Sequence, residues 1–552
     1  MTPSPRTRLL VVLLLAALLW LVAYPLVLVM LEGVRLPSGW TLKFVRLFLA
    51  RPTEWQALWG SLWISVVSVL LAAAIGIPLA FLVARYDLPG GRILGGLVAL
   101  PAVLPPLVGV LAFLFLYGET GFVSLLVQRL FRLTDPPWRL QGAGAILLVH
   151  AYSMYVYFYL FVRAALRSFD GSLLEAAASL GAGRWRTLRL VVVPQLRPAL
   201  AGAALLTFMT ALASFSAPYI FGGGFRVMTT QITSTKLNGD DRLAMVETAA
   251  LLLLALAGLL LLRRTEGQRD AVGARKGIAP VPTRARSALG SFSAAALGWG
   301  LALLLTLPLL TLLVVSLVPR GTWTVEALPP SYTLGNYRAL IADPVRLKPI
   351  LTSLWMAGAA TLAALALAVA VGTLSRRKAR TGRLLEGLLA LPWAVPGTVF
   401  AIALATTFSV RAPWVGRWVL VGTIWILPLA YLVRNLPVAG RAILAGFRQL
   451  DPALEEAGAS LGAGKGRVLR RITLPLLKPA LAAAASLAFV TAFGDFVTSI
   501  MLYTYDTRPI SMEILSSLRQ ADVGQAAAFG VVLMLLSSAV FFLAGEGRGS
   551  TG

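Results

Sequence analysis

The chain has 552 residues, 58% of them apolar and only 13% charged, with a mean hydropathy of +0.81 and a formal charge of +26. Soluble domains average about 45–50% apolar and about 25% charged residues, so a string of soluble domains is excluded and an all-α polytopic membrane protein is expected. With no cysteine and one histidine, His150, disulfides, thiol chemistry and clustered metal ligands are excluded as well, and no cofactor or metal is expected.

Apolar runs of about 20 residues with few or no charges are long enough to cross a bilayer as helices. In chain order they fall at 9–31, 58–84, 93–117, 143–162, 199–219 and 243–262, then at 294–318, 351–374, 384–408, 418–433, 479–502 and 523–544. Glu247 and Asp495 lie inside two of these twelve runs. Arg6 and Arg8 precede the first run as in a signal peptide, but the run is long enough to span and no small-x-small site closes it, so a retained helix is expected. With the N-terminus inside and the helices alternating, 31 of the 49 Lys and Arg residues fall on the inner side. That bias predicts both termini on the cytoplasmic side, and it explains the positive charge without nucleic acid.

The basic, Gly- and Pro-containing stretch at 263–286 reads as a flexible cytoplasmic linker. It divides a first half, 1–262, from a second half that begins after 293 and runs to 552. The halves are copies. Residues 175–200 and 456–481 are identical at 16 of 26 positions with a constant offset of 281. Upstream, Ser61-Leu62-Trp63 is echoed by Ser353-Leu354-Trp355, and Leu100-Pro101 by Leu391-Pro392. Six spans per copy is an even number, so the two repeats enter the membrane in parallel and predict a pseudo-twofold axis along its normal.

The repeated segment sits between the fourth and fifth spans of each half, at 170–194 and 451–475. Asp170 and Asp451 are suited to N-capping, and Pro452 to the first helical position. Leu173, Leu174, Ala177 and Leu180 are expected to form one apolar side, as are Leu454, Ala457 and Leu461. Gly181 and Gly462 are placed to end the helix in the left-handed conformation. A capped surface helix with an apolar side and a fixed acid suits insertion into a partner's groove. A bare connector would not need the same pattern twice.

These residues resemble the EAA loop of ABC-importer permeases, here Glu175-Ala176-Ala177 with Gly181, and Glu456-Ala457-Gly458 with Gly462. The second copy departs from the pattern at Gly458. The resemblance implies a MetI-like permease fold in which both loops dock into two copies of a separate ATPase subunit, with Glu175, Ala176, Gly181, Glu456, Ala457 and Gly462 as the coupling residues. It further implies an extracytoplasmic binding protein as the source of substrate and no catalytic residue in this chain. The stretch before Lys465 does not complete a phosphate loop, because Ala459 stands at the first glycine position and Gly466 follows the lysine. A fused two-half chain is similar to the permeases of ferric-iron and thiamine importers, within a group that also moves oxyanions, polyamines and phosphorylated organics. Ferric iron is the leading expectation for the substrate.

Ionisable and polar groups inside spans mark candidate pathway positions. Asp495 and Thr498 on the fifth span of the second half, and Ser214 and Ser216 at the matching place in the first, are the candidates. An interhelical hydrogen bond is the equal alternative for Asp495. His150 is expected to be a packed, hydrogen-bonded side chain, and Glu247 an interfacial one. Pro101, Pro105 and Pro106, with Pro392 and Pro396, are expected to interrupt or start the third helix of each half. An ion-coupled secondary transporter would share the topology but leaves the paired loops unexplained.

Overall fold

The computed structural model describes residues 5–102, 104–266, 288–323, 328–375, 379–409 and 419–546. The expected linker at 263–286 lies almost wholly outside them, as do the extreme termini. The described chain is helical throughout, apart from a two-residue antiparallel pairing of Arg35–Leu36 with Gly39–Trp40. Among the described residues, nine helices are long and apolar enough to cross a membrane, or eleven if each of two bent pairs counts as one span. The remaining expected span, the tenth in chain order at 418–433, corresponds to helix Ile426–Gln449, which carries Arg434 and Arg441 and does not count as apolar.

The prolines punctuate the helices as expected. In the first half, helix Gly91–Ala99 passes through a 3₁₀ turn at Leu100–Ala102, and a new helix starts at Pro106. In the second, Arg380–Ala394 and Gly397–Ser409 meet at 109° around Pro396. Proline lacks an N–H and biases the preceding residue to extended backbone, and Pro105 and Val395 both adopt it, with ψ of 135° and 124°.

The fifth span differs from expectation in each half. The helix Val193–Leu212 stops, and a short helix Ser216–Phe221 follows; in the second copy Lys478–Phe493 stops and Val497–Leu502 follows. Ser214 and Asp495 therefore occupy two helix breaks.

Two compact units are present, and neither follows chain order. One comprises Pro52–Gln231 and Leu253–Tyr332. Within it helix Pro52–Arg85 packs on Gly142–Arg167, Val193–Leu212 packs on both, and Ala288–Val315 packs on Pro106–Tyr117. The other comprises Met1–Arg51, Ile232–Leu252 and Thr333–Gly552. There Pro344–Ser375, Ile426–Gln449 and Lys478–Phe493 form the matching trio, and Tyr24–Glu32 packs on Gly397–Ser409. Each unit is thus completed by the first helix of the other repeat. Trp20 sets its ring edge-on to Phe408 with centroids 5.4 Å apart, and Ala302 joins the buried cluster that holds Val110 and Phe113.

Small residues let the central helices meet. Ala72, Gly76 and Ala80 are buried four residues apart, as are Ala364, Ala368 and Gly372 in the second copy. This is the spacing by which membrane helices bring their backbones close. A Cβ on Gly76 would collide with the Tyr155 carbonyl and lie 2.7 Å from the Cβ of Phe158.

Candidate functional site

The repeated loops fold as short helices, Ser172–Ser179 and Pro452–Ser460. Asp170 Oδ1 accepts from the Ser172 N–H at 3.0 Å, and Asp451 Oδ1 from the Ala453 N–H at 2.9 Å. Both helices end in the same closure. Gly181 has φ of 70° and Gly462 of 81°. The following N–H groups of Ala182 and Ala463 reach back to the carbonyls of Ala177 and Gly458 at 2.9 and 3.1 Å, the bond that satisfies carbonyls left over at a helix end.

The faces differ from the expected ones. In the first copy Leu173, Leu174 and Ala177 turn inward, but Leu180 is 87% exposed. In the second, Leu454, Ala457 and Leu461 are exposed, and the inward positions are Glu455 and Gly458. Glu455 Oε1 accepts from Thr473 Oγ1 at 2.7 Å. A polar pair there replaces Leu174 and Val192, which adjoin one apolar cluster in the first copy. Gly458 departs from the EAA pattern for a packing reason: a Cβ there would run into Cδ1 of Ile472, at the position where the first copy has the smaller Val191. Glu175, Ala176, Glu456 and Ala457 all face outward. Among the described residues neither Glu175 nor Glu456 has an ion-pair or hydrogen-bond partner for its carboxylate. Each loop thus presents a free acid beside a bare leucine.

After each loop the chain re-enters as a helix through a π-turn, Leu188–Val192 and Leu469–Thr473, placed just before Pro194 and Pro475. The wider turn accommodates a residue with no N–H to give.

The candidate pathway residues gather at the two helix breaks, and the upstream Ser-Leu-Trp echo proves to belong there. Ser61 Oγ accepts from the Met228 N–H at 2.7 Å, and Ser353 Oγ from the Ile510 N–H at 2.8 Å. Thr229 Oγ1 donates to the Ser214 carbonyl at 2.7 Å, and Ser511 Oγ to the Asp495 carbonyl at 2.8 Å. The carbonyls freed by breaking the fifth helix are satisfied in the same way in both copies, as the membrane interior requires.

The side chains at the breaks are not alike. In the first half Ser68 donates to the Ile64 carbonyl at 2.6 Å and lies 2.8 Å from His150 Nδ1. A hydroxyl has one proton, so Ser68 must accept from the ring, which assigns the proton to Nδ1. Nε2 then accepts from Ser214 Oγ, 2.8 Å away. His150 ties two helices to the break, with both nitrogens engaged, and Ser216 is buried beside the break. In the second half Asp495 pairs with Arg434 and accepts from the N–H of Thr498 at 2.8 Å and from its hydroxyl. Tyr431 and Ser499 share a hydrogen bond of 2.7 Å nearby.

Two features were not anticipated from the sequence. Arg434 closed an apolar run and so read as a loop charge. The continuing helical spacing of Pro437, Gly440, Ile443 and Phe447 was the available sign that the helix runs on to Gln449. Glu247 is fully buried, with Oε1 accepting at 2.7 Å from Oγ1 of Thr235 on the polar helix Met228–Leu237.

The sequence matches the family model described as binding-protein-dependent transport system inner membrane component twice, over residues 76–266 and 350–545. It is 31% identical to the "Probable ABC transporter permease protein y4fN" of Sinorhizobium fredii over 88% of this chain and 87% of that one. It is 28% identical to the thiamine transport system permease protein ThiP of Escherichia coli, over 88% of each chain. With the ferric transport system permease protein FbpB of Actinobacillus pleuropneumoniae it shares 29% identity over 80% of this chain and 64% of that one.

Proposed function

Because this chain belongs to the binding-protein-dependent transport system inner membrane components, as a multi-pass, non-catalytic permease subunit of an ABC importer, we propose that its two short surface helices are the points at which ATP hydrolysis is coupled to transport. In this reading Ser172–Ser179 and Pro452–Ser460 each dock into one copy of a separate ATPase subunit. Glu175 and Glu456 serve as anchors, Ala176 and Ala457 as the close-packing positions beside them, and Gly181 and Gly462 as the fixed ends. The supporting observation is the repetition of one outward-facing arrangement: a capped helix, a carboxylate without a partner, an exposed leucine and a left-handed glycine. Both termini and the linker are cytoplasmic, on the ATPase side, and an extracytoplasmic binding protein delivers the substrate from the other. The substrate best supported is ferric iron, on the likeness to a ferric permease; thiamine, an oxyanion, a polyamine or a phosphorylated organic compound is the alternative.

The double variant Glu175→Ala, Glu456→Ala should insert normally but lose most ATP-driven uptake and most stimulation of the partner ATPase. Co-purification of the ATPase and its turnover in proteoliposomes check this, and normal coupling in the double variant would refute the role. The covalent linker should be dispensable. Two chains separated near Gly273 and co-expressed should still assemble and transport, whereas protease cleavage of that segment only from the periplasmic side would overturn the orientation.

A further inference from the structure

We propose that Arg434 is an anion-recognising residue of the translocation path, so that the substrate carries an acidic group where it passes this point: an oxyanion, a phosphorylated compound, or a metal ion held in acidic ligands. This rests on the importer reading above and narrows its substrate class. Arg434 stands eight residues into helix Ile426–Gln449, about 12 Å along it at 1.5 Å per residue. With the membrane boundary at the helix start, that is inside a hydrocarbon layer about 30 Å thick. Ionisable side chains at such depth face protein or water, not lipid, and mark pathways in transport proteins.

The hydrogen-bond inventory separates the two members of the pair. Asp495 is closed: Oδ2 receives Arg434, Oδ1 receives the N–H and hydroxyl of Thr498 and, at 3.3 Å, the N–H of Ser499. Its side chain is 4% exposed. Arg434 is open. Its side chain is 26% exposed, and among the described residues only Nη1, of the three nitrogens that carry its five N–H groups, finds an acceptor. The charge that can be reached is the guanidinium, and the carboxylate behind it is its counter-ion.

The first half shows that the break itself needs no charge. There the fifth helix is held by hydrogen bonds of Ser214, His150 and Thr229, with no ion pair at the break among the described residues. The counterpart of Arg434 at the offset of 281 is Ser153, which donates to the Val149 carbonyl at 2.8 Å. A buried ion pair is seldom more stabilising than a neutral arrangement of the same shape, so holding the helix does not account for the pair. A planar fork of donors with unused N–H groups suits a carboxylate, phosphate or other oxyanion, and one copy per chain suits a single substrate.

The absence of cysteine makes a direct test available. In an Asp495→Asn background, Arg434→Cys is the sole thiol of the full chain, and its reaction with charged, membrane-impermeant thiosulfonates can be timed in oriented vesicles. It should react at least tenfold faster than Leu362→Cys, whose side chain lies 69% exposed in the middle of a span. A thiol at 434 as slow as that at 362 would overturn the inference whatever the substrate, and would leave the importer reading standing. In the complete importer, uptake is measured with iron supplied as its citrate chelate, with molybdate and with thiamine. The neutral pair Arg434→Gln, Asp495→Asn should lower uptake of the transported anionic probe more than tenfold. Full uptake by the neutral pair, or transport of cationic thiamine by the unaltered chain, would each refute the proposal. Normal coupling in the Glu175→Ala, Glu456→Ala variant would instead count against the coupling role proposed above.

Discussion

Gly76→Val is expected to destabilise its unit by about 3 kcal/mol, at the upper end of what overpacking a well-filled site costs. The position faces backbone, which cannot move aside as a side-chain tip can. A Cβ would meet the carbonyl of Tyr155 and stand 3.0 Å from the nitrogen of Tyr159, both inside helix Gly142–Arg167. Relief requires the two central helices to part, which would also pull His150 away from Ser68, because those residues bridge the same pair of helices. Thermal unfolding and monodispersity of the purified chain in detergent measure the effect. Gly358→Ala is the control: it lies within helix Pro344–Ser375, nothing stands within 4 Å of its added Cβ, and alanine favours helix over glycine. Equal thermal stability of the two variants would show that the close approach at Gly76 is not what holds these helices together.

The combined variant Gly181→Val, Gly462→Val should abolish ATP-driven uptake while leaving the membrane-embedded fold intact. Both glycines have positive φ, and nothing lies within 4 Å of an added Cβ at either. The expected damage is therefore conformational and not a clash. A left-handed residue costs about 1–2 kcal/mol for an ordinary side chain, and more for a β-branched one. Valine would thus unwind the last turn, shifting Leu180 and Leu461 and the acids one turn earlier. Asparagine tolerates the left-handed region, so Gly181→Asn, Gly462→Asn should retain most of the uptake that valine removes. Equal uptake by the valine and asparagine variants would sever the link between this backbone geometry and coupling.

The sequence by itself determined the membrane class, the two-fold repetition and the outline of the loops. Each of these depends on composition or on local residue chemistry. Leucine-rich runs must be helical in a bilayer, Asp451-Pro452 starts a helix wherever it stands, and Gly462 ends one because a Cβ is missing. The proline breaks in the third helices were legible for the same reason. What only the tertiary structure decided is how those elements share partners. Apolar helices of similar composition do not announce which neighbour they will choose, so the packing of Tyr24–Glu32 on Gly397–Ser409, and of Ala288–Val315 on Pro106–Tyr117, left no mark in the runs themselves. The breaks at Ser214 and Asp495 were hidden too, because their freed carbonyls are satisfied by Thr229 and Ser511 from a later helix. Arg434 likewise looked like the edge of a loop until its helix was seen to continue past it. A charge ends a hydrophobic run in the sequence, but it is the carboxylate of Asp495, 61 residues away, that pairs with the guanidinium and lets the helix run on past it.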